Sequence, residues 1–344
     1  VTAKVTVLAE GPRGSISKYL IPRLGMDEGR NPQTYATGVK EIWKLKDGAP
    51  DRTGTVWHTM GAPLGNAHFG GGWVYFMKDR LVSVGYVTYL DFDDPLLDPH
   101  REFQKYKMHP LVKRVLDEAD VQDYGAKTIA GGGWWSVPRL YHDGVLFAGD
   151  TAGFTNTMNL KGIHYAIKSG MLAAETIFEA LQKGDTSAAT LRAYQEKIEA
   201  SYVKEELWKA RNFHQSFSHG LYWGMVKTGV HMALGGRGIF ARLASKPDHQ
   251  HYRTLADYYG NALPDAAGAL KYDNKYTYDK VTDIYHSGTT HDEDQPAHLL
   301  VADPSICSDR CAREYGNPCV KFCPAGVYEM VDDPATGKRR LHLN

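Results

Sequence analysis

The residues from Gly144 to Gly153, Gly-Val-Leu-Phe-Ala-Gly-Asp-Thr-Ala-Gly, place a carboxylate where a short apolar run gives way to glycines. An apolar strand ending in Gly-Asp sets Asp150 at the carboxyl edge of a sheet. There its carboxylate can accept hydrogen bonds from sugar-like hydroxyls. Gly149 and Gly153 let backbone N–H groups approach an anionic pyrophosphate, and a helix starting just beyond adds positive potential at its N-terminus. A Gly-Asp turn that merely links a strand to a helix would look the same in isolation, because Asp is a common turn residue. A second glycine- and serine-rich turn, Glu10-Gly11-Pro12-Arg13-Gly14-Ser15-Ile16-Ser17, follows another strand pattern.

Chemistry of a different kind is concentrated near the other end. The chain has 4 cysteines, Cys307, Cys311, Cys319 and Cys323, separated by three, seven and three residues. A secreted disulfide protein spreads its cysteines along the chain, whereas a local cluster suggests a metal site in a reducing compartment. Cys323-Pro324 echoes the Cys-Pro that closes bacterial ferredoxin runs, although the overall spacing differs from theirs. Four histidines, His109, His164, His219 and His298, are read as ordinary surface or core residues.

Two further stretches could meet apolar ligands. Ala67-His68-Phe69-Gly70-Gly71-Gly72-Trp73 opens a strand, where adjacent glycines expose backbone N–H groups. A β-bulge would use the same residues. In 217–243, Leu221, Met225, Val226, Gly229 and Val230 could share one helical face, with Trp223 and Phe240 nearby. Lys227, Arg237 and Arg242 could meet lipid phosphates, as in insertion into one leaflet, although an ordinary buried helix pair fits the same residues.

The elements that must position these groups follow from pattern. With 344 residues there is room for two or three packed units. A formal net charge of +0 disfavours a nucleic-acid binder. No run reaches the roughly 20 apolar residues of a membrane span. Strands are expected over 1–10, repeatedly over 34–92, and over 127–148. Helices are expected from Ser17 as N-cap, over 99–118 from Pro99, over 163–181 and over 188–211. Residues 246–286, polar and Tyr-rich, read as a long surface excursion. The order is that of a mixed α/β protein.

Several blocks carry a resemblance to one family. Asn159-Leu160-Lys161-Gly162-Ile163-His164, Asp294-Gln295-Pro296-Ala297-His298-Leu299 and Phe322-Cys323-Pro324-Ala325-Gly326-Val327-Tyr328-Glu329 resemble, in family order, segments of electron-transfer flavoprotein:ubiquinone oxidoreductases. The Gly149-Asp150 turn resembles the second FAD motif of glutathione-reductase-like flavoproteins. The first, Gly-x-Gly-x-x-Gly, does not occur at the start of this chain. Both ends read as cut, so the chain is expected to be a fragment.

The resemblance implies a glutathione-reductase-like FAD-binding domain with an inserted β-sheet quinone/membrane domain and a small ferredoxin-like module. Residues 1–33 and 131–211 would form the FAD domain, and 34–130 the quinone-binding sheet. Residues 212–286 would be a membrane-surface excursion and 287–344 a partial iron–sulfur module. It implies FAD held by Gly11, Gly14, Ser17, Gly149, Asp150, Gly153, Lys161, Gly162 and Ile163, ubiquinone at Phe69, Gly70 and Gly71, and Cys323 as one ligand of a 4Fe–4S cluster. Ile163 and Tyr165 stand where relatives often carry threonines, so the flavin potential is expected to be shifted. The remaining cluster ligands would lie beyond Asn344. Alternatively, the four cysteines bind a cluster or zinc themselves, or Cys307, Cys311 and Cys319 are structural or form a disulfide. A soluble electron-transfer flavoprotein would be the donor. The location implied is the cytoplasmic side of a bacterial inner membrane, or the matrix side of the mitochondrial one. An FAD-dependent hydroxylase or geranylgeranyl-reductase-like enzyme is the alternative.

Overall fold

A computed structural model of the chain describes residues 2–237, 241–263, 270–290, 292, 294–296, 298–334 and 337–344. In chain order the strands are β1 (Thr6–Leu8), β2 (Tyr35–Leu45), β3 (Val56–Met60), β4 (Gly70–Phe76), β5 (Leu81–Tyr89), β6 (Ala119–Ala130), β7 (Tyr141–His142), β8 (Val145–Phe147), β9 (Tyr328–Asp333) and β10 (Lys338–Leu343). The helices are α1 (Ser17–Arg23), α2 (Pro99–Lys107), α3 (Pro110–Leu116), α4 (Ile163–Lys183), α5 (Ala188–Glu199), α6 (Tyr202–Lys209), α7 (Leu221–Ala233), α8 (Leu255–Tyr259), α9 (Lys280–His286), α10 (Pro304–Ser308), α11 (Arg310–Tyr315) and α12 (Pro318–Phe322).

The chain divides into two units. One comprises Val1–Ala36, Tyr89–Asp91 and Thr128–Gln250; the other comprises Thr37–Thr88, Phe92–Lys127 and His251–Asn344. In the first unit β1 pairs parallel with β8, and β7 lies antiparallel on the far side of β8. Helices α4, α5 and α6 supply the other half of its core. Leu146, Phe147, Phe154, Tyr165, Leu191, Tyr194, Ile198, Val203 and Leu207 are all buried in one apolar cluster. The amphipathic spacing of α4 that marked it in the sequence is what buries Leu172, Ala173, Thr176 and Ala180 there. Gly184, left-handed at φ 65, closes it.

The second unit is built on a five-stranded sheet of order β3-β4-β5-β2-β6. Its face is covered by α2, whose Tyr106 ring lies where a Cβ on Gly72 would sit. The interior of this unit is ionic. Lys107 and Glu41 are both fully buried and 2.5 Å apart, and Trp43 donates its indole N–H to the same carboxylate. The Lys107 ammonium also lies 4.9 Å from the ring centroids of Phe103 and Tyr278. Beside it, buried Asp283 of α9 meets His100 Nε2 at 2.6 Å and accepts from Gln104 at 2.9 Å.

Several expectations change in detail. Ser17 is not the cap of α1; Ile16 holds that position, because the Ser17 hydroxyl is already donated to Glu10. The expected helix over 99–118 is two helices, since Pro110 starts a new one capped by His109. The helix over 188–211 breaks at Ser201, whose hydroxyl caps α6. Residues 246–286 are no surface excursion throughout: Tyr276, Thr277, Tyr278 and Asp283 are buried, the hydroxyls of Tyr276 and Tyr278, the Thr277 N–H and the Asp283 Oδ2 being paired.

Candidate functional site

β8 runs into a single tight turn, Gly149–Ala152. Gly149 and Gly153 take φ of 62 and 79, which side-chain-bearing residues rarely adopt. The Gly153 N–H donates to the Asp150 carbonyl at 2.9 Å. The turn is pressed on α4: the Gly149 N–H donates to the buried Ser169 hydroxyl at 3.0 Å, and a Cβ on Gly149 would lie 3.3 Å from Ala166 Cβ. Asp150 is half-buried. A Cβ on Gly162 would lie 3.4 Å from its Oδ1, so the carboxylate stands beside the N-cap of a helix of 21 residues. Unpaired N–H groups and the helix dipole favour negative charge at such an end.

The turn after β1 is organised by a residue that the motif reading passed over. Glu10 accepts from the N–H groups of Ser15, Ile16 and Ser17 at 3.1, 3.0 and 2.8 Å, and from the Ser17 hydroxyl at 2.6 Å. Burial alone would raise its pKa, but these donors outweigh it and hold the carboxyl at about 2. Gly14, at φ 68, leaves the space the carboxylate fills, and any Cβ there would overlap Ser17 Oγ. The only sequence signal for Glu10 was an acid ahead of a run of small residues. Thr151 joins the two turns by donating its hydroxyl to the Gly11 carbonyl at 2.9 Å.

Of the other expected FAD contacts, Ser17 is fully buried and its hydroxyl is spent on Glu10. Lys161 is exposed and pairs through its backbone with Asn156. Ile163, at the start of α4, is 80 % exposed. Tyr165 points inward, its hydroxyl donating to Glu206 at 2.6 Å. Paired glycine turns beside a half-buried carboxylate and a long helix's N-terminus fit a sugar–pyrophosphate ligand such as the arm of FAD.

Gly70 and Gly71 lie in the ladder of the second unit, opposite Thr88 and Val87 of β5. A Cβ on either would overlap a neighbouring carbonyl, that of Val87 or Thr59. Close strand packing therefore accounts for both glycines. Phe69 is half-buried just before the strand, and Trp73 donates its indole N–H to Ser83 at 3.1 Å.

The four cysteines are free thiols on α10, α11 and α12 and just beyond, each half-buried. Asn317, in a left-handed turn, ties the segment by donating its amide to the Cys307 carbonyl at 2.8 Å. Burial pushes the Cys311 and Cys319 thiols up, and neighbouring thiols add to this: Cys307 for Cys311, and Cys311 and Cys307 for Cys319. Among the described residues no three His, Cys, Asp or Glu side chains are grouped to hold a metal ion. The donor chemistry of the four thiols fits thiolate ligation.

Helix α7 turns its apolar side chains outward. Tyr222, Trp223, Met225, Val226 and Val230 are exposed, while Leu221 and Gly224 pack inward against the Phe217 segment. Lys227 lies near the Trp223 ring. Arg242 is engaged at home, with Asn31 and the Gly29 carbonyl. Phe240 lies outside the described residues. Among the described residues no helix is long and apolar enough to cross a membrane.

The architecture is of the mixed α/β class with an inserted sheet. The same fold occurs in a geranylgeranyl bacteriochlorophyll reductase-like protein from Thermoplasma acidophilum, with a TM-score of 0.50 at 17% identity, over 76% of this chain and 60% of that one. Residues 35–129 match the family model described as ETF-QO, ubiquinone-binding. Residues 274–344 match that of the electron transfer flavoprotein-ubiquinone oxidoreductase 4Fe-4S domain. The mitochondrial electron transfer flavoprotein-ubiquinone oxidoreductase of Arabidopsis thaliana is 38% identical over 100% of this chain and 53% of its own length. That of Pseudomonas aeruginosa is 37% identical over 99% of this chain and 61% of its own. Along nearly its whole length the chain is similar to electron transfer flavoprotein-ubiquinone oxidoreductases, and it spans between half and two thirds of the length of these relatives.

Proposed function

We propose that this chain is part of a membrane-associated oxidoreductase that takes electrons from a reduced soluble electron transfer flavoprotein and, through a 4Fe–4S cluster and FAD, delivers them to ubiquinone. The observation that carries the proposal is the Asp150 turn, joined to the Glu10 turn through Thr151 and set at the N-terminus of α4, in a chain similar to these relatives. FAD, when bound, supplies the stepwise electron chemistry.

The chain's own residues bind and orient. Asp150 would accept from hydroxyls of the ribityl arm, and Gly149 and Gly153 shape the turn beside the pyrophosphate, their own N–H groups being given to Ser169 and to the Asp150 carbonyl. Gly11, Gly14 and Ser17 keep the first turn in shape through Glu10. Lys161, Gly162 and Ile163 flank the ring end. Ile163, having no hydroxyl, offers no hydrogen bond there, which supports a shifted flavin potential; a redox titration of Ile163→Thr that matches the native protein would remove that point. Phe69, half-buried just ahead of Gly70 and Gly71, would pack on the quinone ring, while strand packing sets the two glycines themselves. Cys323 contributes one thiolate to the cluster. The outward apolar face of α7 supports attachment to one leaflet.

Two measurements test this. Titrating FAD into the purified protein should quench flavin fluorescence saturably, and Asp150→Ala should weaken binding about tenfold or more, the loss expected of a charge-assisted hydrogen bond. Unquenched flavin with the native sequence overturns the reading of the turn. Replacing Trp223 and Val226 with Ser should reduce cosedimentation with anionic liposomes; unchanged binding argues against membrane attachment through α7. The match of residues 274–344 to a cluster-bearing domain disfavours the hydroxylase or geranylgeranyl-reductase alternative.

A further inference from the structure

The backbone on both sides of Cys323 is fastened by side chains from distant parts of the second unit. Lys280, the first residue of α9, donates to the carbonyls of Val320 at 3.0 Å and Lys321 at 2.9 Å. Its third partner is Asp98 Oδ2, at 2.9 Å. An ammonium has three donors, and here all three are used. Lys280 and Asp98 are only 17% and 14% exposed in their side chains. Asp98 is fixed in turn, because its other oxygen caps α2 by accepting from the N–H groups of His100 and Arg101. On the far side of Cys323, Tyr124 of β6 donates its hydroxyl to the Pro324 carbonyl at 3.0 Å. The Cys323 N–H itself returns to the Cys319 carbonyl at 3.3 Å.

We propose that Lys280, anchored by Asp98, and Tyr124 are positioning residues that set the backbone around Cys323 for thiolate ligation, and that Lys280 also supplies a fixed positive charge to that site. This deepens the reading of Cys323 as a cluster ligand and rests on it. Helix α12 has five residues and does not hold its own end rigid, so the carbonyls at 320 and 321 need an outside donor. A buried cation beside a cluster favours the more negative, reduced form.

Three readouts test the proposal in the protein as purified and in its cluster-bearing form. Lys280→Met should raise the rate of iodoacetamide alkylation at Cys323, read by peptide mass spectrometry, relative to Cys307 in the same sample. It should speed iron release to a chelator roughly tenfold, as partners of metal ligands do when lost. It should lower the cluster's midpoint potential, and Lys280→Arg should keep the potential near native. Tyr124→Phe should speed alkylation and iron release less and leave the potential unchanged. If Lys280→Met does not fold, Asp98→Asn is read instead, since Asn still caps α2 but releases the lysine. Alkylation, iron release and potential all unchanged in a folded Lys280→Met or Asp98→Asn protein would overturn the proposal. Cys323→Ser separates the two layers: full retention of cluster iron in it refutes the ligand reading, whereas the alkylation contrast still judges the positioning.

Discussion

The two units solve the problem of holding a site in opposite ways. In the first, the Asp150 and Glu10 turns are shaped by backbone N–H groups and glycines over an apolar core of Leu146, Phe147, Tyr194 and Ile198. In the second, the interior is threaded with buried charge: Glu41 against Lys107, and Asp283 against His100 and Gln104. Side chains rather than local turns then hold the Cys323 segment. A site built from backbone tolerates most side-chain changes outside its glycines. A site hung on buried ions fails when a single partner is lost, because the other charge is left uncompensated.

The sharpest way to break this contrast is Lys107→Met. It should cost about 3–5 kcal/mol in urea unfolding, whereas Glu41→Leu with Lys107→Met should return close to the native value. A small loss in the single variant would mean that the second unit does not depend on its buried pair. Gly14→Ala should cost about 2 kcal/mol, through the left-handed backbone and the overlap with Ser17, and should disturb the first unit alone. Asp248 refines the picture at the margin of the first unit. Burial pushes its carboxyl up to about 7, opposed by the Tyr35 N–H and reinforced by Asp91. The folded state therefore favours the protonated acid. Its contribution is complete below about pH 4 and fades as pH rises through about 7, by about 1–2 kcal/mol after allowing for partial exposure. Asp248→Asn should flatten that part of the stability–pH curve; an unchanged slope would remove Asp248 from the account. The smallest effect is expected from Ser201→Ala, about 1 kcal/mol from the lost cap of α6, seen as a modest fall in Tm.

What could be read in the sequence follows the same division. The Gly149-Asp150 turn and α4 were legible because their causes are local: an apolar run, a glycine at a left-handed position, a helical repeat. Glu10 was not singled out, although it organises the first turn, because a carboxylate bound by three consecutive N–H groups leaves no spacing signature. Lys280 and Asp98 were invisible for a different reason: the lysine's partners lie far along the chain, and a lysine amid polar residues reads as surface. The same composition disguised Tyr276, Tyr278 and Asp283, whose two hydroxyls and carboxylate Oδ2 find partners inside in Asp117, Lys275 and His100. Polarity predicts exposure only for groups that find no partner indoors.

The outward face of α7 has a practical consequence at the bench. Indole, phenol, thioether and branched side chains crowd one side of a short helix, so the molecule should behave as a weak surfactant. It should collect at air–water boundaries and creep into larger particles on concentration, and a mild detergent or a lipid nanodisc should keep it monodisperse.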